Sequence, residues 1–333
     1  MLHSLLLFTS LLAAPIPKGE REGTIVAYKF RPTPRELIVM KPNGTIVKQF
    51  EPKGIKGWVN TIRLNPTATH VFLATVFEDE QSKTSSLQNG YLVELENHEQ
   101  PAILIFENLM HVGPVAWSPD GSRVYFSDSD PKEILAAKKA DPIPHHSWVI
   151  DLKTRKKTEI KLPEDHVFVD LSADGNVLLT TREWESTPDV MSDFARNRAY
   201  RSSLNDPTPH LIADVPCHPL RLAPDGKSLV GYQLEKSAAM KSGYRGQYVV
   251  LDVTSKQITK IGNSGNSLEF QITPSWNEKG DSLLLWSSEK TDAADSGKPS
   301  MRYSSHTWNG KTGQLKTVHS FEMPVSLVRF DYR

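Results

Sequence analysis

Short apolar runs broken by polar turns fill most of this chain, and one phrase built that way keeps returning. Val115-Ala116-Trp117-Ser118-Pro119-Asp120-Gly121-Ser122-Arg123-Val124-Tyr125-Phe126 is the clearest copy. Val167 to Leu179, around Ser172-Ala173-Asp174-Gly175, and Leu220 to Val230, around Ala223-Pro224-Asp225-Gly226, repeat it. Two copies are worn, at Thr61 to Pro66 and at Pro274 to Gly280, and a partial one, Leu327-Val328-Arg329-Phe330, ends the chain. In each, an apolar run enters, Asp-Gly or its equivalent makes a tight turn, and a second apolar run returns alongside the first. Gly tolerates the positive φ of such a turn, and Asp bonds the local backbone. The bulky residues before the turns are Leu64, Trp117, Leu171, Leu222, Trp276 and Phe330, spaced by 53, 54, 51, 54 and 54 residues.

Hairpins at such a fixed period predict propeller blades of four strands each. The outer strands are visible too. Trp148 to Thr154 leads through a polar turn into Lys157 to Ile160, and Tyr248 to Thr254 into Gln257 to Ile261. Leu37 to Met40 and Thr45 to Val47 flank Asn43-Gly44, a strong hairpin signal. Six anchors predict six blades and an all-β fold. The chain ends on one inner-type strand, roughly Val325 to Asp331, and begins with three strands that lack such a partner. Placing the C-terminal strand inside the N-terminal blade removes two exposed sheet edges and closes the ring.

The Ser-Pro-Asp-Gly phrase followed by an apolar strand resembles the WD-like repeats of TolB-type β-propellers. The propellers of prolyl oligopeptidases and dipeptidyl peptidases carry a similar repeat. The resemblance covers nearly all of the chain after residue 20 and implies the fold. It implies little about activity, because propellers host many unrelated functions. TolB-type proteins add a separate α/β domain and the peptidases a hydrolase domain, and these 333 residues are filled by the propeller. The expected organisation is a signal peptide and lead-in over residues 1–19, then one propeller over 20–333.

Charge excludes one class of partner. Thirty-nine basic and thirty-nine acidic side chains cancel, which leaves no electrostatic footprint for nucleic acid. Leu2 to Ala14 is nearly all apolar or small, too short to span a bilayer and the right length for the core of a secretory signal. The segment carries no Lys or Arg, and the residues around Ala13 and Ala14 make a poor cleavage site. The expectation is a periplasmic or secreted monomer without a membrane span. Cys217, the only cysteine, allows no intrachain disulfide and is expected to be buried.

Candidate chemistry gathers at one end of the predicted ring. The connections between second and third strands of each blade all return to the face where the inner strands start. The predicted loops run from Glu78 to Asn89, Ser127 to His146, Glu183 to Ala199, Gln233 to Gln247 and Ser287 to Ser305. Loops on a rigid scaffold are where binding concentrates. His111, His166 and His218 precede their anchors by 6, 5 and 4 residues, which predicts imidazoles near the mouths of three successive inner strands. His145, His146 and His306 are placed at the starts of outer strands on the same face. Imidazole can bind a metal or act as acid or base near neutral pH, or simply sit hydrogen-bonded at a loop junction. Trp184, Phe194 and Tyr244 are the natural aromatic anchors for a partner. Asp128, Asp130 and Glu133 lack the spacing of a calcium loop and read instead as the start of a short helix over 131–139. Arg196, Arg198 and Arg201, near Asp193, either grip an anion or make local surface pairs.

No serine-hydrolase elbow, metalloprotease helix, phosphate loop or dinucleotide fingerprint occurs, and no cofactor is expected. Two functions stay open. One is a protein- or peptide-binding module using the long-loop face. The other is a lyase or hydrolase using a histidine-lined channel mouth, with or without a metal.

Overall fold

The computed structural model describes residues 24–29, 35–41, 43–78, 86–110, 114–129, 146–163, 166–172, 174–181, 198–214, 217–236, 244–262, 274–277, 279–291, 300–324 and 328–332. These residues form six four-stranded antiparallel sheets. The first contains β1 (Ile25–Lys29), β2 (Glu36–Met40) and β3 (Ile46–Phe50). The second runs β4 (Trp58–Leu64), β5 (His70–Glu78), β6 (Ser86–Glu94), β7 (Ile103–Leu109). The third runs β8 (Val115–Trp117), β9 (Arg123–Asp128), β10 (His146–Asp151), β11 (Lys157–Ile160). The fourth runs β12 (His166–Leu171), β13 (Asn176–Thr181), β14 (Ala199–Ser203), β15 (His210–Ala213). The fifth runs β16 (His218–Leu222), β17 (Ser228–Lys236), β18 (Tyr244–Asp252), β19 (Ile258–Lys260). The sixth runs β20 (Ser275–Trp276), β21 (Ser282–Thr291), β22 (Ser300–Asn309), β23 (Leu315–Pro324). The last strand, β24 (Val328–Tyr332), returns to the first sheet and pairs with β1, Ile25 opposite Tyr332 and Lys29 opposite Val328. The fold is the six-bladed propeller that the repeat predicts, closed by that ladder.

The repeat phrase explains why the turns form. Gly121 N–H donates to Ser118 O at 2.8 Å, and Gly121 sits at φ 71°. Asp120 Oδ1 accepts Ser118 Oγ at 2.5 Å and Ser122 N–H at 3.0 Å. These bonds, led by the one from Ser118, hold the Asp120 carboxyl down at about 2. The worn copies substitute chemistry without changing geometry. Asn65 Oδ1 accepts Thr69 N–H and His70 N–H at 2.8 and 2.9 Å, and Asn277 Oδ1 accepts Asp281 N–H and Ser282 N–H at 3.1 Å. Ala68 takes the left-handed place of the glycine at φ 51°.

Apolar residues on the two faces of each sheet form the core, and the six buried clusters fall one to each junction between neighbouring blades. Leu64, Val71 and Leu73 meet Val26, Leu37 and Val39 between the first two sheets. Phe72 and Ala74, on the other face of the second sheet, meet Trp117, Val124 and Phe126. Tyr125 meets Phe168 and Leu179, Leu178 meets Leu229 and Leu251, and Val230 and Tyr248 meet Leu283 and Leu285. The ring is completed where Trp286 and Tyr303 pack on Ile25, Ala27, Ile38 and Met40. Closure therefore rests on both a backbone ladder and apolar contact.

Polar groups stitch the inner strands together. Arg63 Nε donates to Val115 O at 3.1 Å, from the second blade to the third. Asp170 Oδ2 accepts the Leu222 N–H at 3.0 Å, and its Oδ1 lies 3.6 Å from Arg221 Nη1, from the fourth blade to the fifth. Trp276 Nε1 donates to Arg221 O at 3.4 Å, from the sixth back to the fifth. Arg63, Asp170 and Arg221 each stand one residue before an anchor, so one place in the repeat supplies this stitching.

Candidate functional site: the long-connection face

The face where inner strands begin also receives the connections between second and third strands, but three of the five predicted loops are shorter than expected. β5 and β6 stay paired to Glu78↔Ser86, β17 and β18 to Lys236↔Tyr244, and β21 and β22 to Thr291↔Ser300. Alternating sequences such as Gly231-Tyr232-Gln233-Leu234 continue the hairpins instead of ending them. Tyr244 is consequently the first residue of β18, and His306 lies well inside β22 and not at its start. His146 does begin its strand, as expected. His111, His145, Trp184, Phe194, Asp193, Arg196 and the predicted helix at 131–139 lie outside the described residues.

His166 and His218 begin β12 and β16, as the spacing predicts, yet their side chains enter different places. His166 pairs with Thr181, and its ring meets Tyr200 edge-on, centroids 4.5 Å apart. Tyr200 is on the third strand of that blade, packed towards the third sheet. His218 pairs with Tyr232, which packs against the cluster between the fifth and sixth sheets. The two rings are thus directed to opposite sides of the fourth and fifth blades. The spacing explains the difference. Both strands carry a bulge at the same place, between Phe168 and Asp170 in β12 and between Pro219 and Arg221 in β16. The five residues from His166 to Leu171 and the four from His218 to Leu222 therefore put the two rings on opposite faces. A difference of one residue moves a side chain to the other face of the sheet. Among the described residues no group of three His, Cys, Asp or Glu side chains is arranged to hold a metal ion.

Burial pushes the His218 imidazole down to about 4, so the folded protein keeps it neutral. The sign follows: below about 6.5 the unfolded chain takes up a proton that the folded one refuses, and stability falls with pH. The expected loss at this residue is about 3 kcal/mol between pH 6.5 and 4. Burial lowers His70 and His306 as well, which adds to the same trend. Urea unfolding at pH 7 and pH 4.5 should show a smaller pH dependence for His218→Gln than for the parent. An unchanged dependence would contradict a neutral buried ring.

Trp58, which the sequence reading passed over, opens β4 at this face with half of its surface exposed. It precedes Leu64 by six residues, the same interval that separates His111 from Trp117, and that shared interval was the available signal. Its immediate neighbours are Lys56, which is exposed, and Gly57, whose carbonyl accepts Arg35 Nη1 at 2.7 Å. Val76 and Gln88 stand opposite in successive strands.

The other candidates resolve into packing. Arg198 Nε pairs with Asp214 Oδ1 at 3.1 Å across its own hairpin. Asp128 is buried, and that burial raises its carboxyl despite Lys157 Nζ at 3.4 Å. Lys157 in turn lies 3.8 Å above the Trp148 ring. Cys217 is buried at 1% exposure, and desolvation pushes its thiol up to about 12, far from a reactive thiolate.

The architecture defines the class as a six-bladed β-propeller. No family model and no curated protein matches the chain. Solved structures do. TolB from Acinetobacter baumannii aligns with a TM-score of 0.57 and 13% identity over 92% of this chain. The tricorn protease aligns at 0.55 and 12% over 91%. The β-propeller domain of the Trilobed protease from Pyrococcus furiosus aligns at 0.51 and 13% over 90% of this chain and 82% of its own. The chain spans 66% of the TolB chain and 30% of the tricorn protease. The fold is thus that of TolB-type propellers, as the repeat phrase implies. No helix among the described residues is long and apolar enough to cross a membrane.

Proposed function

We propose that this is an exported propeller that binds a protein or peptide through its long-connection face. The observation that carries this reading is Trp58. A large aromatic, half exposed on the first residue of an inner strand, stands at the end of the ring to which the second-to-third-strand connections return. Rigid scaffolds lose little ordering entropy on association, and Trp is among the residues that most often dominate an interface. Trp184 and Phe194, in one of those connections, would extend the same surface. The apolar segment Leu2 to Ala14 supports export to the periplasm or beyond.

Tagged protein isolated from its native envelope fraction should bring down a stoichiometric protein partner. Trp58→Ala should weaken that capture by about tenfold or more, the effect of losing a hot-spot side chain. The melting temperature should change little, because so much of the ring is already in solvent. A partnerless parent protein, or an unchanged Trp58→Ala capture, would refute this reading.

A further inference from the structure

One side chain in the sixth blade has the hydrogen-bonding geometry of an activated nucleophile. Ser287 Oγ lies 2.7 Å from His306 Nε2, and His306 Nδ1 lies 3.1 Å from Thr317 Oγ1. The three residues come from β21, β22 and β23. They share one face: Leu285 pairs with His306, His306 with Thr317, and Ser287 stands two residues beyond Leu285. Leu285 packs in the cluster between the fifth and sixth sheets, which fixes that face as the one turned to the fifth blade.

The surroundings suit an activated serine in three respects. His306 is 6% exposed, and burial holds it neutral, so its unprotonated nitrogen is available at ordinary pH. With Nδ1–H donating to Thr317, Nε2 accepts the Ser287 hydroxyl proton, the arrangement a nucleophile and its base require. Ser304 stands directly opposite Ser287 on the same face, its hydroxyl 2.8 Å from that of the exposed Ser320, which places a second hydroxyl in the neighbouring strand. A bulge at Val318 in β23, opposite Ser305 and His306, brings Thr317 across from His306, and bulges recur beside active sites.

We propose that Ser287 and His306 form an acyl-transfer dyad, held by Thr317, that hydrolyses small uncharged carboxylic esters. Ser287 Oγ bonds to the ester carbonyl carbon while its proton passes to His306 Nε2. The carbon–oxygen bond to the alcohol breaks as His306 returns that proton to the departing oxygen. Water then attacks the acyl-serine by the same route, with His306 taking its proton, and releases the carboxylic acid as Ser287 recovers its own. This activity is separate from partner binding at Trp58 and neither depends on the other.

The test uses the full chain, a fluorophosphonate probe that bonds to serine Oγ by expelling fluoride, and p-nitrophenyl acetate. Peptide mapping should place the probe on Ser287. Ser287→Ala should abolish both labelling and ester turnover, and His306→Gln should slow labelling by about 100-fold. Thr317→Val should slow labelling severalfold with Thr317→Ser restoring it, which a merely structural Thr317 would not require. Absence of labelling and turnover in the parent protein, or labelling that persists in Ser287→Ala, overturns the proposal. Should His306→Gln fail to fold, Ser287→Ala and the mapped peptide decide it alone.

Discussion

Deleting residues 328–333 is expected to lower the melting temperature by about 10 °C or to prevent folding altogether, equivalent to at least about 5 kcal/mol. The deletion removes β24, whose five residues pair with Ile25 to Lys29. It leaves β1 as a bare sheet edge at the centre of the ring, beside Ile25, Val26 and Ala27, which are wholly buried. It also removes the inner strand that packs against β4. Edge exposure and loss of the junction act together, so aggregation on heating should accompany the lower transition. Thermal melts of the parent and the truncated chain check this. An unchanged transition would mean that the contact of Trp286 and Tyr303 with the first blade closes the ring unaided.

Asp170→Ala is expected to cost about 3–5 kcal/mol, the penalty for breaking a buried ion pair from one side. Asp170 and Arg221 are both 7% exposed, and the same carboxylate accepts the Leu222 N–H. Removing it takes away a counter-charge 3.6 Å from a buried guanidinium and leaves a buried amide without the carboxylate acceptor. The double variant Asp170→Ala/Arg221→Met should recover much of the loss, because replacing both partners removes the uncompensated charge. Denaturant unfolding of the two single variants and the double completes the cycle. Strictly additive effects would show that the pair contributes no coupling across the blades.

These inner-strand groups show where sequence reasoning reached and where it stopped. The turn phrase was legible because its chemistry is local. Asp120, Asp174 and Asp225 bond within two residues of themselves, and Asn65 and Asn277 do the same work under different letters. Ring closure was legible because counting strands left one spare inner strand at the C-terminal end and three strands lacking one at the N-terminal end. The histidines were harder. Counting back from Leu171 and Leu222 found the right end of each strand, and counts of five and four already separate the two rings. The bulge both strands share, which no sequence letter announces, hid which face each one takes. The role of Arg63, Asp170 and Arg221 was hidden for another reason. Their common place in the repeat is visible, but their partners lie about fifty residues away in the next blade. Ser287 and His306 are likewise joined only by the pairing of β21 with β22, which sets their rows side by side. Hairpin length was misread because the polar residues that continue those strands read like loop residues in the sequence.

The binding account stands most directly on a photocrosslinking measurement in the native envelope. A photoreactive amino acid would replace Trp58 on the long-connection face and, in a second protein, Lys227 in the turn between β16 and β17 on the opposite face. The account predicts a discrete crosslinked protein from position 58 and none from position 227. Crosslinks from position 227 alone, or none from position 58, would contradict it.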